Sequence, residues 1–364
     1  MTLKIAYALS GEGRGHTMRA SALGQRLLDS GYDVQFFSCG DAIEPLTEKF
    51  GAKRIHDLPT PRFVYKKNGQ FHLWKTSTDF VKFMFGERRR ILRLSQMLRD
   101  ENYDVVISDF EPLMSRAANN AGIPLVSFNS QNFVNVCKLP SKYKSLALQI
   151  LLVNQLIVAD SAFTIVSKPV KLPIREQVGC LVGPIIRDHI IGRRWRGGGK
   201  FILLYYRPSI SKTLPDVLEW AEQKGWKVHL YGRLHPSERA LLDHDSVVER
   251  PISETKFIDD MIDSELVIGT AGTQMIGEIA YLGAPAILVP ESGQKEQLLN
   301  AQLASADFPN VTWLPPHKVR YDYLEEAVNN LSDTGVRHIE NGSDDAFEAF
   351  VKWAENLPKR SGYR

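Results

Sequence analysis

The sequence predicts an α/β protein made of two doubly wound parallel-sheet domains that face each other across a cleft. Three observations lead there. Short strands of buried type alternate with amphipathic helices along both halves, the order expected of βαβ units and a parallel sheet. The series is interrupted by the segment Gly192 to Lys200, with three consecutive glycines amid charge, and then begins again. At 364 residues the chain is too long for one ordinary core and suits two.

In chain order, Leu3–Leu9 is expected as a strand, and the loop Ser10–His16 opens a helix reaching about Ser30. Asp33–Phe37 is a second strand. The spacing of Phe80, Phe83, Met84, Ile91, Leu92 and Leu98 predicts a helix over Asp79–Arg99. The strand Val105–Ser108 ends at Asp109, the helix Glu111–Ala121 is closed by Gly122, and Pro124–Phe128 is again a strand. The apolar run Leu146–Ala159 is broken by Gln149, Asn154 and Gln155. It falls short of the roughly 20 residues of a membrane span and predicts a buried helix.

Residues 191–200 are expected as a flexible linker between domains at 1–190 and 201–343. The second series holds strands at Phe201–Tyr205, Lys227–Tyr231, Leu266–Gly269 and Ala286–Val289, with helices at Leu214–Lys224 and Gln274–Leu282. Residues 344–364 carry a last helix, about Asp344–Glu355. Two such domains leave a cleft bordered by the carboxyl ends of both sheets, where these folds place ligands.

Composition narrows the partners. Hydrophobic residues make 43% and charged residues 24%, values of a soluble globular chain. Cys39, Cys137 and Cys180 form no CxxC pair, so neither a disulfide framework nor a zinc site is expected. The first segment lacks the features of a signal peptide, and the expected location is cytoplasmic. Net charge is only +3, and no nucleic-acid partner is expected. The charge is nevertheless uneven: residues 1–185 hold 24 Lys and Arg against 16 Asp and Glu, the remainder 21 against 26. The densest cluster, Lys82 with Arg88, Arg89, Arg90, Arg93 and Arg99, reads either as a solvated helix face or as a surface for an anionic lipid or acidic acceptor.

Gly11-Glu12-Gly13-Arg14-Gly15-His16 lies between a strand and a helix, where glycines admit a ligand close to the backbone and helix amides favour negative charge. The spacing departs from GxGxxG, and Phe37-Ser38-Cys39 stands where a dinucleotide site needs a ribose-binding carboxylate. NAD(P) and FAD are therefore not expected. A neutral His16 can take a proton from an acceptor hydroxyl, and Asp109, on the same sheet edge, can orient it. The alternative is that His16 caps its own helix and Asp109 the next.

The second candidate segment reads as helix, strand, small-residue loop and helix. Thr270, Ala271, Gly272 and Thr273 can offer amides and hydroxyls to a diphosphate at a helix start. Glu278, about one turn inside, has the acceptor oxygens for ribose hydroxyls. Glu296 and Gln297, in the polar stretch after the strand Pro285–Val289, can bind sugar hydroxyls.

On three blocks the chain resembles the GT-B superfamily of glycosyltransferases, in the UDP-sugar branch of the peptidoglycan N-acetylglucosaminyltransferase and the plant and macrolide transferases. The blocks are Gly-x-Gly-x-Gly-His near the start, Gly-Thr-Ala-Gly-Thr followed by Glu278, and Gly-x-Pro-Ala-Ile-Leu-Val-Pro followed by Glu296-Gln297 and Asn300-Ala301. The resemblance implies two Rossmann-like domains, the first receiving the acceptor and the second the nucleotide sugar, with the last helix packed back on the first. It makes His16 the base and Asp109 its partner. Thr270–Thr273 would hold the diphosphate, Glu278 the ribose, and Glu296 with Gln297 the transferred sugar. The sequence departs from the family where Tyr205-Tyr206-Arg207 replaces a glycine- and serine-rich loop. Arg207 is expected there to face the leaving diphosphate, unless activity has been lost from that position.

The expected reaction is transfer from a nucleotide-diphosphate sugar, a UDP-sugar by the resemblance, to an acceptor hydroxyl with inversion. No metal-binding motif is assigned and no cofactor is expected. Lys66, Lys67, Lys138, Lys142 and Lys144 favour an anionic or lipid-linked acceptor, met at the inner face of a membrane. The alternatives are a nucleotide-sugar epimerase of the same fold and a catalytically silent nucleotide-sugar-binding protein.

Overall fold

The computed structural model describes residues 2–11, 13–61, 64, 72–157, 159–175, 179–207, 213–232, 234, 239, 244–251, 253–332 and 334–357. Seven parallel strands form the first sheet: β1 Lys4–Leu9, β2 Asp33–Ser38, β3 Ile55–Asp57, β4 Val105–Asp109, β5 Leu125–Asn129, β6 Phe163–Ser167 and β7 Cys180–Val182. Their spatial order is β3-β2-β1-β4-β5-β6-β7. The helices that join them are α1 Arg14–Asp29, α2 Ile43–Phe50, α3 Leu73–Gly86, α4 Arg88–Asp100, α5 Pro112–Ala121, α6 Phe133–Val136 and α7 Lys144–Ile157.

Helices on both faces bury the central strands twice over, and alternate side chains serve the two sides. Ile5, Tyr7, Phe36, Val105 and Ile107 pack on one face, while Ala6, Ala8, Phe37 and Val106 pack on the other with Leu113 and Met114 of α5. Burying such large apolar side chains stabilises by roughly 1.5–3 kcal/mol each. This slab gives the loops at its edge a rigid base.

The second sheet repeats the plan with β8 Phe201–Tyr205, β9 Lys227–Tyr231, β10 Val247–Arg250, β11 Leu266–Gly269, β12 Ala286–Leu288 and β13 Val311–Trp313, in the order β10-β9-β8-β11-β12-β13 and all parallel. Its helices are α8 Leu214–Gln223, α9 Glu254–Asp263, α10 Thr273–Leu282, α11 Lys295–Asp307 and α12 Tyr321–Asn329. The final helix, α13 Ser343–Ala354, lies against the first sheet. There Phe350 is buried, Trp353 stacks on Phe163, and Asp344 pairs with Arg26 of α1 at 2.6 Å.

The chain crosses between the domains twice, side by side. The outward crossing, 183–187, meets the returning one, 341–343: Gly342 N donates to Pro184 O at 2.9 Å and Ile186 N to Asn341 Oδ1 at 3.1 Å. The backbones are so close that a Cβ on Gly342 would stand 2.2 Å from Gly183 O, which leaves room only for glycine.

Three expectations are corrected. The segment 191–200 is not a flexible linker: it forms no helix or strand, yet it is tied to the second domain. Trp195 N bonds Leu282 O, its indole bonds Ser264 O at 2.8 Å, and Arg196 and Gly199 bond Ile262 O and Asp263 O. Charged and glycine residues disguise a fixed strap. The helix expected over Asp79–Arg99 is two, α3 and α4, divided at Glu87. That residue leaves helical geometry after the weak helix former Gly86, and its carboxylate turns to Arg90. Helix α7 is not buried. Ile150 and Ile157 face inward, but Leu148, Leu152 and Leu156 are 57, 55 and 42% exposed, because neighbours cover only one side.

Candidate active site

Each sheet reverses its strand order once, between β1 and β4 and between β8 and β11, and ligands of doubly wound sheets bind at such points. The candidate residues sit there. Ser10 N bonds Asp109 O, which joins the end of β1 to the end of β4. Gly11 follows, and a Cβ on it would meet Cys39 O at 2.2 Å, so the turn into α1 requires glycine. Gly13 is the N-cap of α1 at φ 85°, and Gly15 lies in its first turn.

His16 is in that same turn. Its Nδ1 lies 2.8 Å from Asp109 Oδ1. Neither residue is a cap: Gly13 stands at the start of α1, and α5 is capped by Glu111, whose carboxylate accepts from Leu113 N and Met114 N. Asp109 is fully buried. Burial pushes its carboxyl up, but Arg19 and His16 outweigh that and hold it below the usual range. Phe110, next in the chain, has a left-handed φ of 59°, and its ring stacks on His16. Such strain costs about 1–3 kcal/mol and persists where surrounding packing enforces it. Burial raises the Glu111 carboxyl to about 7 against the opposing pull of its amide partners and Arg116.

Arg19 was not foreseen as part of the site. One turn beyond His16 it is 4% exposed, and its guanidinium grips both oxygens of Asp109: Nε to Oδ2 at 2.8 Å and Nη2 to Oδ1 at 3.0 Å. The i, i+3 spacing from His16 was the available signal, since it puts both on one helical face.

At the facing point, Thr270 and Ala271 are buried, Gly272 is the N-cap of α10 and Thr273 its first residue. The loop is held from behind by Asn300 of α11, whose Nδ2 donates to Ala271 O at 3.1 Å and reaches Thr273 Oγ1 at 3.3 Å. Asn300 Oδ1 in turn accepts a short bond from Lys168, a buried ammonium that follows β6 in the first domain and lies over the Phe133 ring. Burial pulls Lys168 down to about 8, against the opposing pull of Glu296 and Cys137. Sequence reading missed this lysine as well; nothing in its surroundings marks a pairing 132 residues away.

The other candidates are already engaged within the protein. Glu278 is buried, and its Oε1 meets Arg187 Nε at 2.8 Å and Gln274 Nε2 at 2.9 Å. Gln297 Oε1 accepts from Glu291 N. Glu296, at the start of α11, is half-buried. Arg207 follows β8 and pairs with the buried Glu291 at 3.1 Å, so its charge is countered. The domains meet at the site: Gln274 Nε2 donates to Ile185 O, and a Cβ on Gly15 would lie 3.7 Å from Gln274 Cβ. The two helix starts thus face each other.

Lys138, Lys142 and Lys144 are exposed, and Lys142 lines a cavity with Gln302, Ser305 and Trp313 of the second domain. Lys66 and Lys67 lie outside the described residues, as do 208–212 of the loop after Arg207. No group of three metal-ligating side chains occurs among the described residues. Residues 243–245 spell Asp-x-Asp, but Asp243 is outside the described residues and His244 turns to Ser246 and Glu222.

Two sheets with facing switch points, an oriented histidine on one and a helix-start loop on the other, define a two-domain glycosyltransferase of the GT-B fold. The sequence pattern of glycosyl transferase family 1 matches residues 3–311, and the chain belongs to that family. Among relatives, an uncharacterized glycosyltransferase of Methanosarcina mazei is 34% identical over 133 residues, 36% of this chain and only a third (33%) of the relative's length. The UDP-N-acetylglucosamine--N-acetylmuramyl-(pentapeptide) pyrophosphoryl-undecaprenol N-acetylglucosamine transferase of Haemophilus influenzae is 25% identical over 99% of this chain and 92% of its own. Among solved structures, the glycotransferase of kitacinnamycin superposes with a TM-score of 0.71 at 16% identity, covering 98% of this chain and all (100%) of that one.

Proposed function

We propose that this glycosyltransferase moves a sugar from a UDP-sugar to an acceptor hydroxyl, with inversion, without a metal ion, and with His16 as base. The observation that carries the reading is the His16–Asp109 bond at one switch point, facing the start of α10 at the other. In the direct displacement, His16 Nε2 takes the acceptor proton, the acceptor oxygen bonds the anomeric carbon, and the carbon–oxygen bond to the diphosphate breaks. Amides at the start of α10, with Thr270 and Thr273, stabilise the charge that leaves. A UDP-linked donor is favoured by the full-length relative, whose name specifies one.

The acceptor is anionic and lipid-linked in this reading. The same relative acts on a pyrophosphoryl-undecaprenol. Helices α3 and α7 pack together through Phe80, Met84, Val153 and Ile157, and both leave large apolar side chains in solvent, Phe85 at 77% and Leu148 and Leu152 above half. The basic residues of α4 continue from α3. Apolar side chains beside arginines suit the inner face of an anionic membrane. No helix among the described residues is long and apolar enough to cross one. A silent nucleotide-sugar-binding protein is the second reading, favoured by the countered charge of Arg207.

The test begins with thermal unfolding in UDP, dTDP, GDP, CDP and ADP. A ligand at 100 times its Kd adds about 2.7 kcal/mol, a shift of several degrees. The UDP-sugar series is then assayed with chelator present, using a polyprenyl-diphosphate acceptor in anionic vesicles. Transfer with an inverted anomeric centre is the expected result. Donor converted to its epimer without acceptor would replace the proposal with an epimerase, and binding without any turnover would favour the silent protein.

A further inference from the structure

The pair His16–Asp109 has a third member that alters its chemistry. Asp109 receives three donors: Arg19 Nε on Oδ2, and both Arg19 Nη2 and His16 Nδ1 on Oδ1. Arg19 Nη2 also lies 3.0 Å from His16 Nδ1. The 2.8 Å approach of Nδ1 to Oδ1 is a hydrogen bond only when Nδ1 carries the hydrogen, and Arg19 Nη2 then lies beside a second donor with which it shares Oδ1. With a hydrogen on Nδ1, the imidazole donates to Oδ1, and the guanidinium presents its two-pronged fork to the carboxylate. The Nε2 lone pair is then left for the acceptor proton. Were Nδ1 bare, Arg19 would donate to it, and Nε2 would carry hydrogen and be useless as a base.

The charges follow the same geometry. Histidine paired with a buried aspartate alone forms an anionic couple that draws a proton onto the ring. Here a guanidinium that stays charged at every working pH lies against both partners. With His16 unprotonated, as a base must be, the trio is neutral, and it becomes cationic when His16 takes the acceptor proton.

We propose that Arg19 is a positioning residue of the transfer reaction, clamping the carboxylate that sets the His16 tautomer and cancelling that carboxylate's pull so that the base remains unprotonated in more acid solution. This inference rests on the reading of His16 as base. In the step itself, the proton passes from the acceptor oxygen to Nε2, the new oxygen–carbon bond forms, and the electron pair of the broken carbon–oxygen bond leaves with the diphosphate. The cationic trio then faces that anion across the cleft and gives up its proton as product departs. Asp109 from β4 and Arg19 from α1 contact the ring, and the buried Tyr7 of β1 lies within reach of the Asp109 charge. Burial, with Asp109 adding to it, keeps the Tyr7 phenol neutral throughout.

The experiment is histidine titration by NMR on the full chain labelled at imidazole Cε1, with the His16 signal assigned by its loss in His16→Ala. No ligand is needed. In Arg19→Gln the His16 midpoint is expected to rise by on the order of one pH unit, corresponding to a tenfold change in proton affinity. The acid limb of kcat/KM should move the same way. Arg19→Lys, which keeps the charge, should lie within a few tenths of a unit of the wild type (about a twofold change in proton affinity or less). Because Arg19→Gln leaves a buried charge unpaired and risks unfolding, the double variant Asp109→Asn with Arg19→Gln removes both charges. Its midpoint should return near the wild type's. An unchanged midpoint in Arg19→Gln, or one about a unit lower in the double variant, would overturn the proposal. Transfer activity surviving in His16→Ala would instead sink the base assignment and leave the titration result standing.

Discussion

The two switch points occupy equivalent places in their sheets and are built from opposite materials. The first holds formal charges: Asp109 and Arg19 buried and paired, His16 against them, Glu111 capping the next helix, and Phe110 in a strained backbone. The second is made of small neutral residues, Thr270 to Thr273, whose polarity comes from amides and hydroxyls held by Asn300. Fixed charges tune proton affinity, whereas amide dipoles accept an anion without being titrated by it. On the proposed reading, similar topology supports two separate tasks, proton transfer on one side and charge acceptance on the other.

The largest test of that division is His16→Ala. Loss of a positioned base should lower kcat by about 10²–10⁴-fold, while calorimetry should find UDP binding unchanged. A parallel fall in UDP affinity would merge the two tasks. Next in size is a pH effect confined to the first switch point. Glu111 is raised to about 7 in the fold from an ordinary 4.5. Between those values the folded chain retains a proton that the unfolded chain has lost, so stability falls as pH rises from 4.5 to 7. The span corresponds to roughly 3 kcal/mol. Glu111→Gln should flatten that slope in urea unfolding measured across the range; an unchanged slope would assign it elsewhere. The smallest effect belongs to the neutral side. Thr273→Val removes one hydroxyl, worth about 1.5 kcal/mol toward a charged ligand, and should weaken UDP binding roughly tenfold with its pH dependence intact. A change in the acid limb there would show that the division is not clean.

The strands inside the sheets were legible because burial on both faces writes them as short, largely apolar runs. Phe201–Tyr205, Lys227–Tyr231 and Leu266–Gly269 agree with the structure to the residue. The three-residue edge strands β3, β7 and β13 carry too short a pattern to stand out. At the site, His16 and the loop 270–273 announce themselves because helix starts have local signatures. Arg19 and Lys168 do not. Each is one cation among many in a basic half, and its meaning depends on a carboxylate or amide contributed by a distant strand or helix. Helix α7 misled for a related reason: composition reports how apolar a helix is, and only its neighbours decide how much of it is covered.

The adjacent crossings at Gly183 and Gly342 act mechanically as a paired hinge pin. Two threads fastened together resist twisting, because rotation about the long axis would have to lengthen one relative to the other. They leave one soft motion, a swing about the line on which they touch. A swing about that line would open and close the gap between His16 and the start of α10 along a fixed arc. On the proposed reading, such a swing would return His16 to the same bearing on the donor.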